Sequence, residues 1–208
     1  MKNEIPIYAI DFEGSKAIGI VEFGVAGILN GDIFFSDTKI CAPKKSIDLK
    51  TRKITGITDS LAGQNPPFEA HCEMFSSLRQ NGIFAAHNFH TEDSLLRHYI
   101  PSAGRVKNFF TGKDTLSWSP WIDSRIVSRQ IFSVESEKLS DVVSELGLQD
   151  ELDFYAEKIC PATRKKWHCA LYDALASALI IKLAIREVPN LNTLAEASKI
   201  ETRESSLF

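Results

Sequence analysis

Paired cysteines are absent from this sequence of 208 residues. None of the four cysteines belongs to a Cys-x-x-Cys pair, which argues against both a zinc knuckle and a disulfide framework. They are Cys41, Cys72, Cys160 and Cys169. We therefore expect reduced thiols, most of them buried.

The sequence also lacks an excess of positive charge, since its formal net charge is -3. A protein without a global positive charge does not attract nucleic acid over long distances. Any binding of a polyanion would have to be local, through the basic clusters Lys44-Lys45, Lys50 to Lys53 and Arg164-Lys165-Lys166.

Long apolar runs are missing as well. The longest, from Cys169 to Ile185, is interrupted by charged residues and is too short to span a bilayer. The first residues include Glu4 and Pro6, where a signal peptide needs an apolar core. We therefore expect a cytoplasmic protein with no membrane partner.

The residues that are present suit one globular domain. Hydrophobic residues make up 44% of the chain and charged residues 25%. A chain of this length and composition can bury a sizeable core. We place the domain at residues 1–190 and a tail at residues 191–208.

Hydrophobic periodicity predicts an α/β protein. Three β-rich runs separated by turn residues, over residues 5–12, 18–25 and 33–40, indicate an antiparallel meander. After a predicted loop over 42–67 and a helix over 68–80, four apolar residues at 83–86 are typical of a strand buried on both faces. Further helices are predicted over residues 91–99, 121–132, 139–146 and 167–187.

Two carboxylates, Asp11 and Glu13, stand one residue apart at the end of the first predicted strand. The period of two in a strand puts both on one face and Phe12 on the other. Anions held side by side raise each other's pKa unless a cation lies between them. The pair suggests a divalent metal site, although similar pairs such as Glu135/Glu137 occur where we expect solvated side chains.

A polar segment starting at His87 follows the buried strand, and sites of α/β proteins tend to lie at such strand ends. Leu95 and Leu96 come three and four residues after Glu92, so a helix places Glu92 on their inward-facing surface. Asp93 is rotated by about 100° and is expected to face outward. A buried carboxylate is costly without a cation, so Glu92 is a candidate metal ligand, with a helix cap or a surface position as the alternative.

The last predicted helix is headed by His168 and carries Asp173 near the edge of its apolar face. On an ideal helix the two residues would lie about 140° apart. We therefore place His168 in the preceding loop or first turn, free to swing over a metal held by Asp173. Taken alone, such a histidine is usually a cap or a surface residue, and Asp173 could simply bind a backbone amide.

Taken in this order, three motifs resemble those of the DEDDh, or DnaQ-like, 3'-5' exonucleases. They are Asp11-x-Glu13, His87-Asn88 followed by a carboxylate, and His168-x4-Asp173. The resemblance spans residues 5–187 and includes Ile54-Thr55-Gly56-Ile57-Thr58, similar to a stretch between the first two motifs of such enzymes. It implies a ribonuclease H-like fold, with a central mixed five-stranded sheet flanked by helices, and an exonuclease domain over residues 1–190.

One position departs from the family pattern. After His-Asn the family normally has an aspartate preceded by phenylalanine, whereas this sequence has Glu92 preceded by Thr91. Glutamate can still ligate a metal, and Asp93 would fit only with a one-residue insertion. We predict Glu92 as the third carboxylate and hold Asp93 as the alternative.

The resemblance implies phosphodiester hydrolysis with two divalent cations, Mg²⁺ or Mn²⁺, about 3.5 to 4 Å apart. Oxygen ligands suit these hard cations. Asp11 would bridge both ions, Glu13 and Asp173 would hold the ion that carries the attacking water, and Glu92 would help position the other. His168 would be the general base, and hydrolysis from the 3' end of single-stranded DNA or RNA would release nucleoside monophosphates.

The resemblance also implies substrate contacts. Backbone amides around Phe12, Gly14 and Ser15 would meet the terminal nucleotide, with Phe12 or Ile57 wedging against its base. His87-Asn88 would orient the scissile phosphate or support the metal site.

Two further possibilities stay open. The departure at Glu92 favours, as the second hypothesis, a catalytically impaired exonuclease fold that binds nucleic acid or acts as a scaffold. The ending Leu207-Phe208 resembles that of bacterial sliding-clamp-binding peptides but lacks their leading glutamine, so a clamp-binding tail stands beside a plain unstructured one. The sequence also leaves room for a homodimer.

Overall fold

The computed structural model describes residues 5–188 and 190–197. Its strands are β1 (Ile7–Ser15), β2 (Gly19–Leu29), β3 (Asp32–Ile40), β4 (Ile83–Ala86), β5 (Val106–Lys107), β6 (Asp114–Thr115) and β7 (Trp121–Asp123). Its α-helices are α1 (Leu49–Thr55), α2 (Asp59–Ala62), α3 (Cys72–Asn81), α4 (His90–Tyr99), α5 (Ser124–Phe132), α6 (Leu139–Glu145), α7 (Gln149–Ile159), α8 (Ala170–Glu187) and α9 (Leu191–Ala197). A 3-10 helix, Phe68–His71, precedes α3.

One mixed sheet has the strand order β3-β2-β1-β4-β7. Strand β1 pairs antiparallel with β2 and parallel with β4, and β4 pairs parallel with β7. β1 is therefore held by hydrogen bonds on both sides near the centre of the sheet. The predicted fold class, a mixed five-stranded sheet flanked by helices, is confirmed.

The residues of β1 alternate between two hydrophobic clusters, as the period of a strand requires. Ile7 and Ala9 are fully buried in the cluster that contains most of α8. Ile10 and Phe12 lie in the cluster on the other face. Asp11 continues the alternation of Ile7 and Ala9, so it lies on the α8 side of the sheet.

Helix α8 is buried along most of its length and approaches β2 closely at Gly24. A Cβ atom at Gly24 would lie 2.2 Å from backbone atoms of Ala170 and Leu171. Gly24 is also the residue paired with Asp11 across the two strands. The missing side chain at Gly24 thus lets the first turn of α8 lie directly beside Asp11.

The structure differs from prediction at residues 121–132, where a single helix was expected. Trp121–Asp123 instead forms β7, because this short segment pairs with β4. Asp123 then caps α5, its carboxylate accepting hydrogen bonds from the backbone N–H groups of Arg125 and Ile126. The predicted loop over 42–67 contains α1 and α2, and α7 follows α6 where no element was predicted.

The chain continues to pack on the domain beyond residue 190. Residues 191–197, at the start of the predicted tail, form α9, whose Leu194 is buried in the α8 cluster. The predicted clamp-binding end, Leu207-Phe208, lies outside the described residues. No helix in the described part of the chain is long and apolar enough to cross a membrane.

We predict that Gly24→Ala lowers the free energy of unfolding by about 1 to 3 kcal/mol, because the added methyl group overlaps backbone that cannot rotate away. Denaturant melts would measure the loss. Gly31→Asn is the matched control, since no atom lies within 4 Å of its Cβ position and asparagine tolerates its left-handed backbone. Equal stabilities of the two variants would contradict the close packing.

Candidate active site

Asp11 and Glu13 lie on the α8 side of β1, just before a bulge at Gly14. Burial and then the charges of Asp173, Glu13 and Glu92 raise the pKa of Asp11 well above its usual range. Burial and the charge of Asp173 raise the pKa of Glu13 to about 8. The two carboxylates therefore belong to a larger cluster of like charge.

Asp173 lies in the first turn of α8 and is only 8% exposed. Its Oδ2 accepts a hydrogen bond from the backbone N–H of His168 at 3.1 Å, which holds the loop before the helix. His168 has a φ of 62° and an exposed side chain. Ligand atoms of Glu13, His168 and Asp173 lie within 4.8 Å of one another. Burial raises the pKa of Asp173 to about 7.

Glu92 and Asp93 are neighbours in the first turn of α4 but have different surroundings. Glu92 is 5% exposed, and burial together with nearby carboxylates, Glu13 among them, raises its pKa to about 8. Asp93 instead accepts hydrogen bonds from the indole N–H of Trp121 at 2.9 Å and from Nε of Arg97 at 2.6 Å. Of the two carboxylates, Glu92 is therefore the one beside the cluster.

The oxygen atoms of this cluster suit divalent cations. Oε2 of Glu92 and Oδ1 of Asp173 are buried and have no hydrogen-bond partner within the described residues. Such oxygens are costly to bury, and a bound cation would satisfy them. Mg²⁺ and Mn²⁺ both take carboxylate ligands, so the residues present fit the metals that the sequence implies.

Solved structures with the same architecture include several nucleases. Exonuclease X in complex with 5' overhanging duplex DNA matches 93% of this chain and 99% of its own, with a TM-score of 0.64 and 16% identity. E. coli Exonuclease I in complex with a dT13 oligonucleotide matches over 91% of this chain and 43% of its own, with a TM-score of 0.66 and 16% identity. The nuclease domain of 3'hExo, a DEDDh family member bound to rAMP, matches over 88% of this chain and 93% of its own, with a TM-score of 0.63 and 17% identity. The chain has the ribonuclease H-like fold of the DEDDh exonucleases.

Curated sequence relatives agree with this resemblance, although no family model matches the chain. The 3'-5' exonuclease DinG of Bacillus subtilis is 28% identical over 149 residues, which cover 71% of this chain. The PolC-type DNA polymerase III of Thermotoga petrophila is 28% identical over 130 residues, or 62% of the chain. The matched regions make up only 15% and 9% of those two proteins.

Phe12 and Ile57, one or the other of which was predicted to wedge against the base of the terminal nucleotide, are both buried. Ile57 is fully buried in a small cluster with Ile47 and Ala62. Phe12 is 6% exposed and packs against Phe68 and Phe75 on the face of the sheet away from α8. A buried side chain presents no surface to a nucleobase, so the predicted wedging does not fit this structure.

Gly14 and Ser15, predicted to contact the terminal nucleotide, line an open pocket of about 400 Å³. The pocket lies directly after Glu13 in the chain and is also lined by Lys16 and His90. Gly14 and Ser15 therefore share this pocket with a lysine and a histidine.

His87 has no ring nitrogen left for a phosphate. Its Nδ1 lies 2.9 Å from Oγ of Ser124, and its Nε2 lies 2.9 Å from the carbonyl oxygen of Glu137. Burial lowers the pKa of His87, which favours the neutral ring. Of the two predicted roles, orienting the phosphate does not fit, and a supporting role for the site does. Asn88 is exposed, and its backbone N–H donates to the carboxylate of Asp123 at 3.0 Å.

Asp123 is a residue of the site that the sequence reasoning missed. It is fully buried, caps α5, and accepts hydrogen bonds from the backbone N–H groups of Asn88 and Phe89. It thereby joins the end of β7 to the turn that leads into α4. An aspartate directly before the helical run that starts at Ser124 is a capping pattern that could have identified it.

Arg164 was predicted as part of a basic cluster for polyanions, but it is buried. It forms a two-pronged ion pair with Glu22, with Nε 2.8 Å from Oε1 and the second nitrogen bonded to Oε2. Glu22 is 2% exposed. Arg164 is therefore unavailable to a surface ligand. A glutamate between Val21 and Phe23 in an apolar strand was the available sign of such a pair.

We predict that Glu92→Gln weakens Mn²⁺ binding at least about tenfold, whereas Asp93→Asn changes it by less than about threefold. The first variant removes a charge from the cluster, and the second alters a side chain that bonds to Trp121 and Arg97. Isothermal titration with Mn²⁺ would measure both. The reverse order of effects would make Asp93 the ligand.

The raised pKa values also predict how metal-dependent stability varies with pH. Glu13 and Glu92 have a pKa of about 8 and Asp173 has a pKa of about 7, so all three bind protons more tightly in the folded than in the unfolded chain. The metal-free protein therefore loses stability as the pH rises through 7 to 8. Cations take the place of those protons. The rise in Tm caused by Mg²⁺ should therefore be larger at about pH 8.5 than at about pH 6.

Thermal melts with and without Mg²⁺ at the two pH values would check this. Asp11→Asn should reduce the rise, and Asp32→Asn, on an exposed residue at the far end of the sheet, should leave it unchanged. A rise in Tm that is the same at both pH values would argue against proton–metal exchange in the cluster.

Proposed function

We propose that this chain is a metal-dependent 3'-5' exonuclease that hydrolyses single-stranded DNA or RNA and releases nucleoside monophosphates. The observation that carries the proposal is the cluster of Asp11, Glu13, Glu92 and Asp173, with His168 beside it. Four carboxylates with little counter-charge are costly in a folded protein unless they hold cations.

Two divalent cations, Mg²⁺ or Mn²⁺, would be held by the four carboxylates. When bound, they would lower the pKa of a bound water molecule and neutralise charge on the phosphate. His168 would accept the proton of the attacking water. Its exposed ring and its nearness to Glu13 and Asp173 support this assignment.

The substrate would place its 3'-terminal nucleotide in the pocket lined by Gly14, Ser15, Lys16 and His90. Amide N–H groups and a lysine suit a phosphate or sugar and do not read a base sequence. The solved neighbours include Exonuclease X with DNA and 3'hExo with rAMP, so both nucleic acids are candidates.

A 5'-labelled single-stranded oligonucleotide, as DNA and as RNA, incubated with Mn²⁺ or Mg²⁺ tests the proposal. We expect a ladder that shortens from the 3' end. Asp11→Asn should slow it about 10³-fold or more, since loss of a carboxylate that would hold the cations costs several kcal/mol of transition-state stabilisation. Asp32→Asn, the same change on an exposed carboxylate, should not slow it.

Absence of shortening with either nucleic acid and either metal would reject the enzyme. If the protein then bound the oligonucleotide, the second hypothesis, an impaired exonuclease fold acting as a binding or scaffolding module, would take its place. The departure at Glu92 is the observation that favours this alternative.

A cytoplasmic location stays a prediction, and two possibilities stay open: a homodimer, and recruitment to a sliding clamp through Leu207-Phe208. Deleting these two residues should weaken clamp binding without changing hydrolysis. Unchanged clamp binding after the deletion would dismiss the clamp contact.

A further inference from the structure

Glu22 lies directly behind the candidate metal ligands. It is the residue of β2 paired with Glu13 of β1, and paired residues of antiparallel strands point to the same face. At 2% exposure it is more buried than any of the four carboxylates of the cluster. Burying a carboxylate at such a position is costly unless it has specific hydrogen-bond or ion-pair partners.

Its partners come from the segment that carries His168. The guanidinium of Arg164 binds both carboxylate oxygens, and Oε2 also accepts a hydrogen bond from the backbone N–H of Ala170 at 3.0 Å. Arg164 and Ala170 stand on either side of His168 in the chain. One carboxylate therefore holds both ends of the short loop that carries the proposed general base.

The same arginine reaches a third element. Its remaining terminal nitrogen donates to the carbonyl oxygen of Thr55 at 2.6 Å, at the end of α1. The fixed fork of a guanidinium can make these bonds together, whereas a lysine ammonium cannot reproduce their geometry. β2, α1 and the start of α8 thus meet at one ion pair.

His168 itself makes no bond with this pair. Its backbone N–H donates to Asp173, and its φ of 62° is one that a residue with a side chain rarely adopts. The loop therefore keeps an uncommon conformation between two ends that are both bound to Glu22. The short distances among Glu13, His168 and Asp173 depend on that conformation.

We propose that Glu22 and Arg164 are positioning residues that hold the His168 loop and the start of α8 against Glu13. This inference rests on the proposed function for its catalytic consequence. The placement of the loop can be measured without activity and without metal.

Two sets of variants test it. Arg164→Lys keeps the positive charge but removes the forked guanidinium that binds both oxygens of Glu22. Glu22→Leu/Arg164→Met replaces the whole ion pair by apolar side chains, a change that often preserves stability. Glu151→Leu/Lys182→Met is the matched control, since it removes a partly buried ion pair, 2.8 Å long, between α7 and α8.

The first measurement is hydrogen exchange of the His168 backbone amide by NMR in the metal-free protein. We expect its protection to fall at least about tenfold in Arg164→Lys and in the apolar double variant, and to stay unchanged in the control. The second is kinetics on the oligonucleotide. We expect kcat to fall about 10- to 100-fold with KM within about threefold, even in a variant with the Tm of the parent chain.

Protection of the His168 amide that stays within about twofold in a folded variant would overturn the proposal, and so would lost protection with an unchanged kcat. If the apolar double variant does not fold, Arg164→Lys decides the question by the same criteria. A parent chain without nuclease activity would reject the proposed function, while the amide measurement would still decide whether the pair positions the loop.

Discussion

Mutual repulsion among buried and half-buried carboxylates is the constraint around which this fold is arranged. Asp11, Glu13, Glu92 and Asp173 come from β1, α4 and α8, and burial raises the pKa of each. Left to relax, such groups would move apart into water. They stay together because each is attached to an element that is packed or hydrogen-bonded on several sides.

The residues that hold these elements in place lie next to the carboxylate cluster and are not part of it. Gly24 lets the first turn of α8 approach the sheet, and Asp123 binds the turn before α4 to the start of α5. Glu22 and Arg164 bind the loop before α8 to β2. These contacts position the elements that carry the cluster, while Oε2 of Glu92 and Oδ1 of Asp173 have no hydrogen-bond partner among the described residues.

The sequence predicted those features of the site that depend on residues close together in the chain. Because Leu95 and Leu96 follow Glu92 by three and four residues, Glu92 was predicted to face inward, and all three side chains are buried. The pairing of Arg164 with Glu22 could not be predicted, because the two residues are 142 positions apart in the chain. Nothing in Arg164-Lys165-Lys166 distinguishes the buried arginine from the two more exposed lysines. The predicted contact of Ile57 with a nucleobase does not fit for a related reason, because the residues that bury Ile57 lie outside the stretch Ile54-Thr55-Gly56-Ile57-Thr58.

The balance of charge explains why such a site is both unfavourable and useful. With protons on its carboxylates the cluster is less repulsive, but it then offers weaker ligands. Arg164 lowers the pKa of Glu13 and Asp173, yet it is held by Glu22 and cannot move in to neutralise them. A fixed arginine behind the carboxylates limits their repulsion without occupying the place where cations would bind. In the proposed metal site, this arrangement would leave most of the attraction for a divalent cation in place, because Arg164 is already paired with Glu22.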